Sequence, residues 1–331
     1  MNEATHIKPL TALRFYAAMW VVLFHYWPKL DVSWTPDFVL RGYLGVELFF
    51  VLSGFILCHV YLPSLETGRF RYGSFLWARL ARVYPLHIAT LAGVGLMAVA
   101  AVKAGFGIDP AILSWQSLPA NLFMVHAWGL APEAGWNHPS WSISAEWFAY
   151  LAFPLFAGHA LTQATIAWGA LRIVPCFALG CAAYLLWQAR PVAGRRPALG
   201  LCAALTAAVI VMAALGAHDA VIVPAFGALI YALACLTSSG SAIGTSRLGV
   251  WLGEVSYGIY MVCVPWKLLF VNAALKFGGF EGEVLPLWLW LVFLASVIPV
   301  AAAAHHLIER PARTAMKNWA GRSRAPSPKF A

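Results

Sequence analysis

Histidine, glutamate and arginine residues in this 331-residue sequence have types and spacings suited to acid–base chemistry and anion binding. His25 follows Arg14 by eleven residues, about three helical turns, which places both side chains on one helix face about 16 Å apart. An imidazole accepts a proton near neutral pH, so His25 is a candidate general base. The alternatives are structural: His25 could bond to a neighbouring helix or lie in a membrane interface beside Trp27, and Arg14 could be a helix-end arginine that reaches the surface.

Two glutamates complete the candidate acid–base site. A buried carboxylate needs a partner, and a carboxylate can orient an imidazole, so we predict Glu47 beside His25. Ser142 and Glu146 are spaced i, i+4 and would share a helix face at a similar depth. Alternatively, Ser142 caps the helix and Glu146 favours its positive N-terminal end.

Paired arginines provide a candidate anion-binding site. Arg79 and Arg82 are spaced i, i+3 and face the same way, so their guanidiniums could clamp a phosphate. The alternative is that they only mark a cytoplasmic loop, because Lys and Arg favour that side of a membrane. Arginines at one membrane face, with His25 and the glutamates towards the other, favour a phosphate-bearing donor that arrives from the cytosol.

The composition indicates that membrane-spanning helices position these residues. The sequence is 61% hydrophobic and 11% charged, with a mean hydropathy of +0.74, whereas soluble domains are about half apolar and a quarter charged. The net charge of +9 resides in short loops and is no signal for nucleic acid. We predict no metal site, because the six cysteines lie in apolar runs without CxxC pairs. The apolar segments of near-spanning length run roughly 10–28, 43–62, 80–102, 141–157, 172–188, 199–216, 221–237, 249–270 and 285–308.

The basic loops place both termini in the cytoplasm, which requires an even number of crossings. The conflict with nine segments lies within residues 141–188. One solution is ten helices, with a short, tilted helix near GHALTQATIAWGAL; the other is eight crossings plus a segment that enters the membrane and returns. The predicted fold class is an all-α, polytopic transmembrane bundle over residues 1–313, followed by a basic, disordered cytoplasmic tail at 314–331.

Six stretches form an ordered set between residues 10 and 313. They read LTALRFYAAMWVVLFHY, GVELFFVLSGFIL, RLARVYPLH, PSWSISAEWFAYLAFP, LGEVSYGIYMVCVPW and LIERPAR. In this order they resemble the integral-membrane acyltransferase family 3, which includes bacterial O-antigen and exopolysaccharide O-acyltransferases. The resemblance implies about ten helices in the bacterial inner membrane. It also implies transfer of an acyl group, often acetyl, from cytosolic acyl-CoA to a hydroxyl of a carbohydrate or lipid-linked glycan.

The resemblance also assigns roles at matching positions. Acyl-CoA is implied as the donor substrate, and no permanently bound cofactor is expected. The sequence departs from the family at Cys263, where a histidine is common, and at Trp147, where a second glutamate is common. After Phe153 it is shorter than the family pattern by about the length of one helix. The resemblance implies catalytic His25, Glu47 and Glu146, and CoA binding by Arg14, Arg79 and Arg82. We place Ser53, Ser142, Tyr257 and Tyr260 along the substrate channel, with core packing as the alternative for the tyrosines.

Two other functions fit His, Glu and Arg residues inside a membrane. A proton-coupled transporter would use them as a relay, although the internal repeats that transporters often show are not evident. A membrane-embedded partner of a polysaccharide export system, with degraded catalysis, would fit the short region at 155–171.

Overall fold

A computed structural model describes residues 7–103, 110–133, 135–156, 169–278 and 284–322. Within these ranges the chain is mostly helical, and the only β-pairing is an isolated bridge between Leu30 and Leu285. The helices of 13 residues or more are α1 Lys8–Tyr26, α2 Gly45–Glu66, α3 Tyr72–Lys103, α4 Trp141–Phe156, α5 Gly169–Ala189, α6 Arg195–Ala214, α7 Asp219–Ser238, α8 Arg247–Gly278, α9 Leu287–Ala304 and α10 Arg310–Arg322.

Seven stretches of the described residues have the length and apolar character of a membrane crossing. They contain α2, α3 and α5 to α9, so the predicted all-α, multi-pass bundle is confirmed. Neither α1 nor the 16-residue α4 is among the seven, but both pack into the bundle through buried side chains such as Trp20 and Ala149. All six cysteines are free and buried, as their apolar surroundings predict.

Helices α2 and α4 run parallel to each other. Phe50 near the start of α2 packs against Trp141 at the start of α4, and Tyr61 packs against Phe153 near the ends of both helices. We call the end of the bundle where α2 and α4 begin the Trp141 end. The opposite end is the Tyr72 end, because α3 begins there and the Tyr72 hydroxyl donates to a carbonyl near the end of α4, at 2.7 Å.

Helix α5 runs in this same direction. Glu47 near the start of α2 contacts Arg172 near the start of α5, whereas His59 packs against Trp187, which lies near the end of α5. Helices α4 and α5 therefore both run towards the Tyr72 end. Of the tenth helix predicted at GHALTQATIAWGAL, residues 158–168 lie outside the described residues, and residues 169–171 belong to α5.

Glycines hold α2 and α5 unusually close. A Cβ added to Gly54 would collide with the carbonyl oxygen of Phe177, and one added to Gly180 would collide with that of Val51. Small residues let membrane helices approach to backbone contact, and dispersion contacts then stabilise the pair. Gly54 is therefore a packing residue.

Helix α1 is held in the same way on two sides. A Cβ added to Gly45, at the start of α2, would collide with the carbonyl oxygen of Ala17. A Cβ added to Gly253 in α8 would collide with the carbonyl oxygen of Thr11. The helix that carries Arg14 therefore lies in backbone contact with both α2 and α8.

The last transmembrane helix continues beyond its predicted end. A π-helical turn, His305–Glu309, joins α9 to α10. Pro311, which is expected to resist continued helix, lies in the first turn of α10, directly after this π-helical turn. The predicted disorder of the tail is therefore wrong for residues 314–322, and residues 323–331 lie outside the described ranges.

Candidate functional site

A cavity between α1, α2, α3, α4 and α8 contains most of the predicted site residues. It holds about 550 Å³ of empty space, part of which is open to solvent. We call it the arginine cavity. Its polar side chains are Arg14, Ser53, Arg82, Ser142, Glu146, Ser256, Tyr257 and Tyr260, and its apolar ones are Val46, Phe49, Phe50, Val83 and Ile143.

Glu146 is the carboxylate of this cavity. It accepts a hydrogen bond from the Ser53 hydroxyl at 2.8 Å and another from the Tyr150 hydroxyl. Its negative charge also acts on the guanidinium of Arg14. The prediction that Glu146 lies level with His25 is wrong, because its partners are the arginines and hydroxyls of the cavity.

The predicted arginine pair also lies here. Arg82 lines the cavity, and the charges of both Arg82 and Arg79 act on Arg14. Arg79 donates to the Tyr61 hydroxyl at 3.3 Å and lies over the rings of Tyr61 and Tyr150, with its Cζ atom 5.6 and 5.9 Å from the two ring centroids. Arg14 and Arg82 therefore line the cavity together with Glu146, and the charge of Arg79 acts on Arg14 from beside it. This cluster of guanidiniums is suited to an anionic ligand.

Hydroxyl groups connect the segments that form the cavity walls through hydrogen bonds to backbone carbonyls. Ser142 and Tyr260 both donate to the carbonyl oxygen of Pro139, at 3.3 and 2.6 Å. Ser142 is the second residue of α4 and a donor, so the alternative in which it caps the helix is wrong. Tyr257 donates to the carbonyl oxygen of Val83 in α3 at 2.7 Å. Both tyrosines line the cavity while their hydroxyls fix its backbone.

His25 lies in a separate pocket at the Trp141 end, which we call the histidine pocket. Its lining includes Phe24, Trp27 and Lys267. The Lys267 ammonium lies 3.5 Å from the backbone oxygen of His25, and the Phe24 ring meets the imidazole edge-on, 5.3 Å between centroids. The ring nitrogens of His25 have no hydrogen-bond partner within the described residues, so they are available to a bound molecule.

Glu47 does not pair with His25, contrary to the sequence prediction. Its side chain is buried and contacts the guanidinium of Arg172 in an ion pair. Arg172 in turn lies over the rings of Tyr43 and Trp141, with its Cζ atom 5.8 and 5.7 Å from their centroids. This ion pair joins α2 to α5 near the start of α4, outside both the arginine cavity and the histidine pocket.

Several residues of these sites were absent from the sequence prediction, among them Tyr150, Lys267 and Arg172. Tyr150 continues the i, i+4 series of Ser142 and Glu146, and that series was a usable signal. Lys267 and Arg172 are charged residues within apolar helices, which generally marks them as functional or paired. Cys263, which stands where the family often has a histidine, is fully buried in the core. It lines neither pocket.

Comparison with known proteins places this chain in a family. The acyltransferase domain of the acyltransferase 3 family matches residues 8–193, more than half of the chain. Acyltransferase MdmB of Streptomyces mycarofaciens is 31% identical over 164 residues, which are 46% of this chain and 40% of that protein. Protein 2 in picA locus of Rhizobium radiobacter is 30% identical over 136 residues, 38% of this chain and 71% of that protein.

A third relative is the "Putative O-acetyltransferase SACOL0978" of Staphylococcus aureus, 28% identical over 164 residues, 46% of this chain and 25% of that protein. The chain thus spans less than half the length of two of these three relatives, and no solved structure matches it. The matched region carries α1 to α5 and, with them, the arginines, glutamates and histidine described above. This chain belongs to the acyltransferase 3 family.

Proposed function

We propose that this protein is an O-acyltransferase of the bacterial inner membrane. It transfers an acyl group, which we expect to be acetyl, from cytosolic acyl-CoA to a hydroxyl of an exported or cell-envelope carbohydrate. The observation that carries the proposal is the arrangement along α1: an arginine-rich cavity around Arg14, and an unpartnered imidazole, His25, three turns further along. The names of the relatives MdmB and SACOL0978 support acyl transfer as the reaction class.

The arginine cavity would bind the donor. Arg14, Arg79 and Arg82 supply positive charge and bidentate donors for phosphate groups. Positive charges favour the cytosolic side, and the exposed residues Arg69 and Arg71 precede α3 at the Tyr72 end. We therefore assign that end to the cytosol, where acyl-CoA is made.

The acyl group would reach His25 along α8. Tyr257 and Tyr260 line the arginine cavity, and Lys267 lies two turns beyond Tyr260, in the histidine pocket. The extended pantetheine arm of acyl-CoA would lie along α8 and pass the ring of Phe49. The ring of Phe49 packs edge-on against Tyr260, 6.2 Å between centroids.

The chemical step needs one base. The imidazole of His25 accepts the proton of the acceptor hydroxyl, whose oxygen attacks the thioester carbonyl. Collapse of the tetrahedral intermediate breaks the carbon–sulfur bond, and the CoA thiolate leaves and takes up a proton. The acceptor would bind against the rings of Phe24 and Trp27, because ligand pockets combine apolar walls with a few polar groups.

Replacement of the imidazole tests this proposal. Purified His25→Ala is expected to lose acceptor-dependent CoA release while its melting temperature and elution volume match the wild type. His306→Ala is the control, because His306 is exposed and lies in neither cavity. In cells, surface glycans of a His25→Ala strain should lack one acyl mass increment in mass spectra. Unchanged CoA release by His25→Ala would show that the base lies elsewhere.

A further inference from the structure

Helix α10 packs across the first turns of α3, beside the arginine cavity. The indole nitrogen of Trp77 donates to the carbonyl oxygen of Met316 at 2.9 Å. The rings of Trp77 and Trp319 lie 5.2 Å apart between centroids. α10 is therefore fixed to the N-terminal part of α3, which also carries Arg79 and Arg82. It also lies outside residues 8–193, the region that defines the family match.

Two cations of α10 point to the same place. Arg313 and Lys317 are spaced i, i+4 and share a helix face. The charges of Arg79 and Arg82 act on both of them. Four positive side chains from two helices therefore converge at the Tyr72 end of the cavity.

The polar groups of this cluster are only partly satisfied. The Nε atoms of Arg79 and Arg313 are buried and have no hydrogen-bond partner within the described residues. Glu309, whose charge acts on Arg82 and Arg313, is already hydrogen-bonded to the Nδ1 atom of His305 at 2.9 Å. A buried donor without a partner is costly, and like charges repel unless an anion lies between them.

We propose that α10 completes the donor site: Arg313 and Lys317, together with Arg79 and Arg82, bind the phosphate groups of the CoA nucleotide. This inference rests on the proposed function, because it takes acyl-CoA as the donor. A nucleotide with several phosphates fits the cluster better than a single carboxylate, since four cations face it. Arg313 contributes a planar guanidinium that can bind two phosphate oxygens, and Lys317 a single charge.

Binding of free CoA by the purified full-length chain tests the inference. Loss of one charge-assisted hydrogen bond is expected to weaken CoA binding about tenfold or more in Arg313→Gln. The loss in Lys317→Gln should be smaller, because Lys317 is exposed. Arg313→Lys keeps the charge and should recover part of the affinity. Arg71→Gln removes an exposed arginine at the same end and should leave CoA affinity unchanged.

The outcomes separate this inference from the proposed function. If the wild type binds CoA and Arg313→Gln binds it equally well, α10 is no part of the site and the inference falls alone. If Arg71→Gln loses as much affinity as Arg313→Gln, the effect is general positive charge, such as attracts acidic lipids, and the inference also falls. If the wild type does not bind CoA, the donor assignment itself is wrong. Adenosine 3′,5′-bisphosphate, as a second probe, should show the same order of variants.

Discussion

Replacing Arg172 with glutamine should destabilise the protein more than replacing Glu47 with glutamine. The carboxylate of Glu47 is 4% exposed and the side chain of Arg172 is 40% exposed. Loss of the arginine leaves a buried charge without its counter-ion, which typically costs about 3–5 kcal/mol. Because Arg172 is partly solvated, we expect the lower end, about 3 kcal/mol. At about 2 °C per kcal/mol, the melting temperature would fall by about 6 °C.

The reverse replacement should be mild. In Glu47→Gln, the exposed guanidinium of Arg172 keeps its contacts with two aromatic rings and meets solvent, so we expect a loss of about 1 kcal/mol. In the double variant no buried charge remains, so its melting temperature should lie above that of Arg172→Gln. The two replacements are therefore strongly non-additive, with a coupling of about 2–3 kcal/mol.

Thermal unfolding of the three purified variants, with acyl transfer measured on the same samples, tests this reasoning. Glu47→Gln should keep most of its acyl transfer activity, because Glu47 contacts neither His25 nor the arginine cavity. Equal melting temperatures for Arg172→Gln and the double variant would refute the buried-charge argument. A folded but inactive Glu47→Gln would show that Glu47 takes part in catalysis.

Three further predictions follow from single contacts. Tyr150→Phe removes one of two donors to Glu146 and should lower single-turnover acyl transfer about tenfold. Its melting temperature should fall less than that of a variant that leaves a cavity in the core. Gly54→Ala should destabilise the bundle by about 1–3 kcal/mol, whereas Gly93→Ala, with open space around it, should melt like the wild type. Burial lowers the pKa of His126 to about 4, so stability should be complete above about pH 6.5 and fall towards pH 4; His126→Gln should flatten that profile.

Local spacing was sufficient for the parts of the site that lie on one helix. Arg79 and Arg82 both lie close to Arg14 because a helix repeats every 3.6 residues, and Ser142 and Glu146 share the arginine cavity for the same reason. The partner of Glu47 could not be predicted from local spacing. Arg172 is far away in sequence, and only the parallel packing of α2 and α5 brings the two together.

The prediction of the depth of Glu146 was wrong for a different reason. Hydropathy places the start of a helix near the membrane surface, but α4 begins inside the bundle. Asn137 and Ser140, just before α4, are buried, and the Asn137 amide donates to the carbonyl oxygen of Met261 in α8 at 3.1 Å. Glu146 is therefore carried deeper than His25, to the level of Arg14. Such an inward displacement depends on tertiary hydrogen bonds that sequence hydropathy does not contain.

Helix α1 fixes a distance in this molecule, and backbone contacts with Gly45 and Gly253 hold that helix against its neighbours. Because Arg14 and His25 lie on this one continuous helix, they remain about 16 Å apart along its axis. Under the proposed function, the acyl-CoA donor then has to bridge that gap. Donor analogues that carry the same phosphates on a shorter thiol arm should then bind as inhibitors, so that the length of chain between phosphate and thioester determines which donors react.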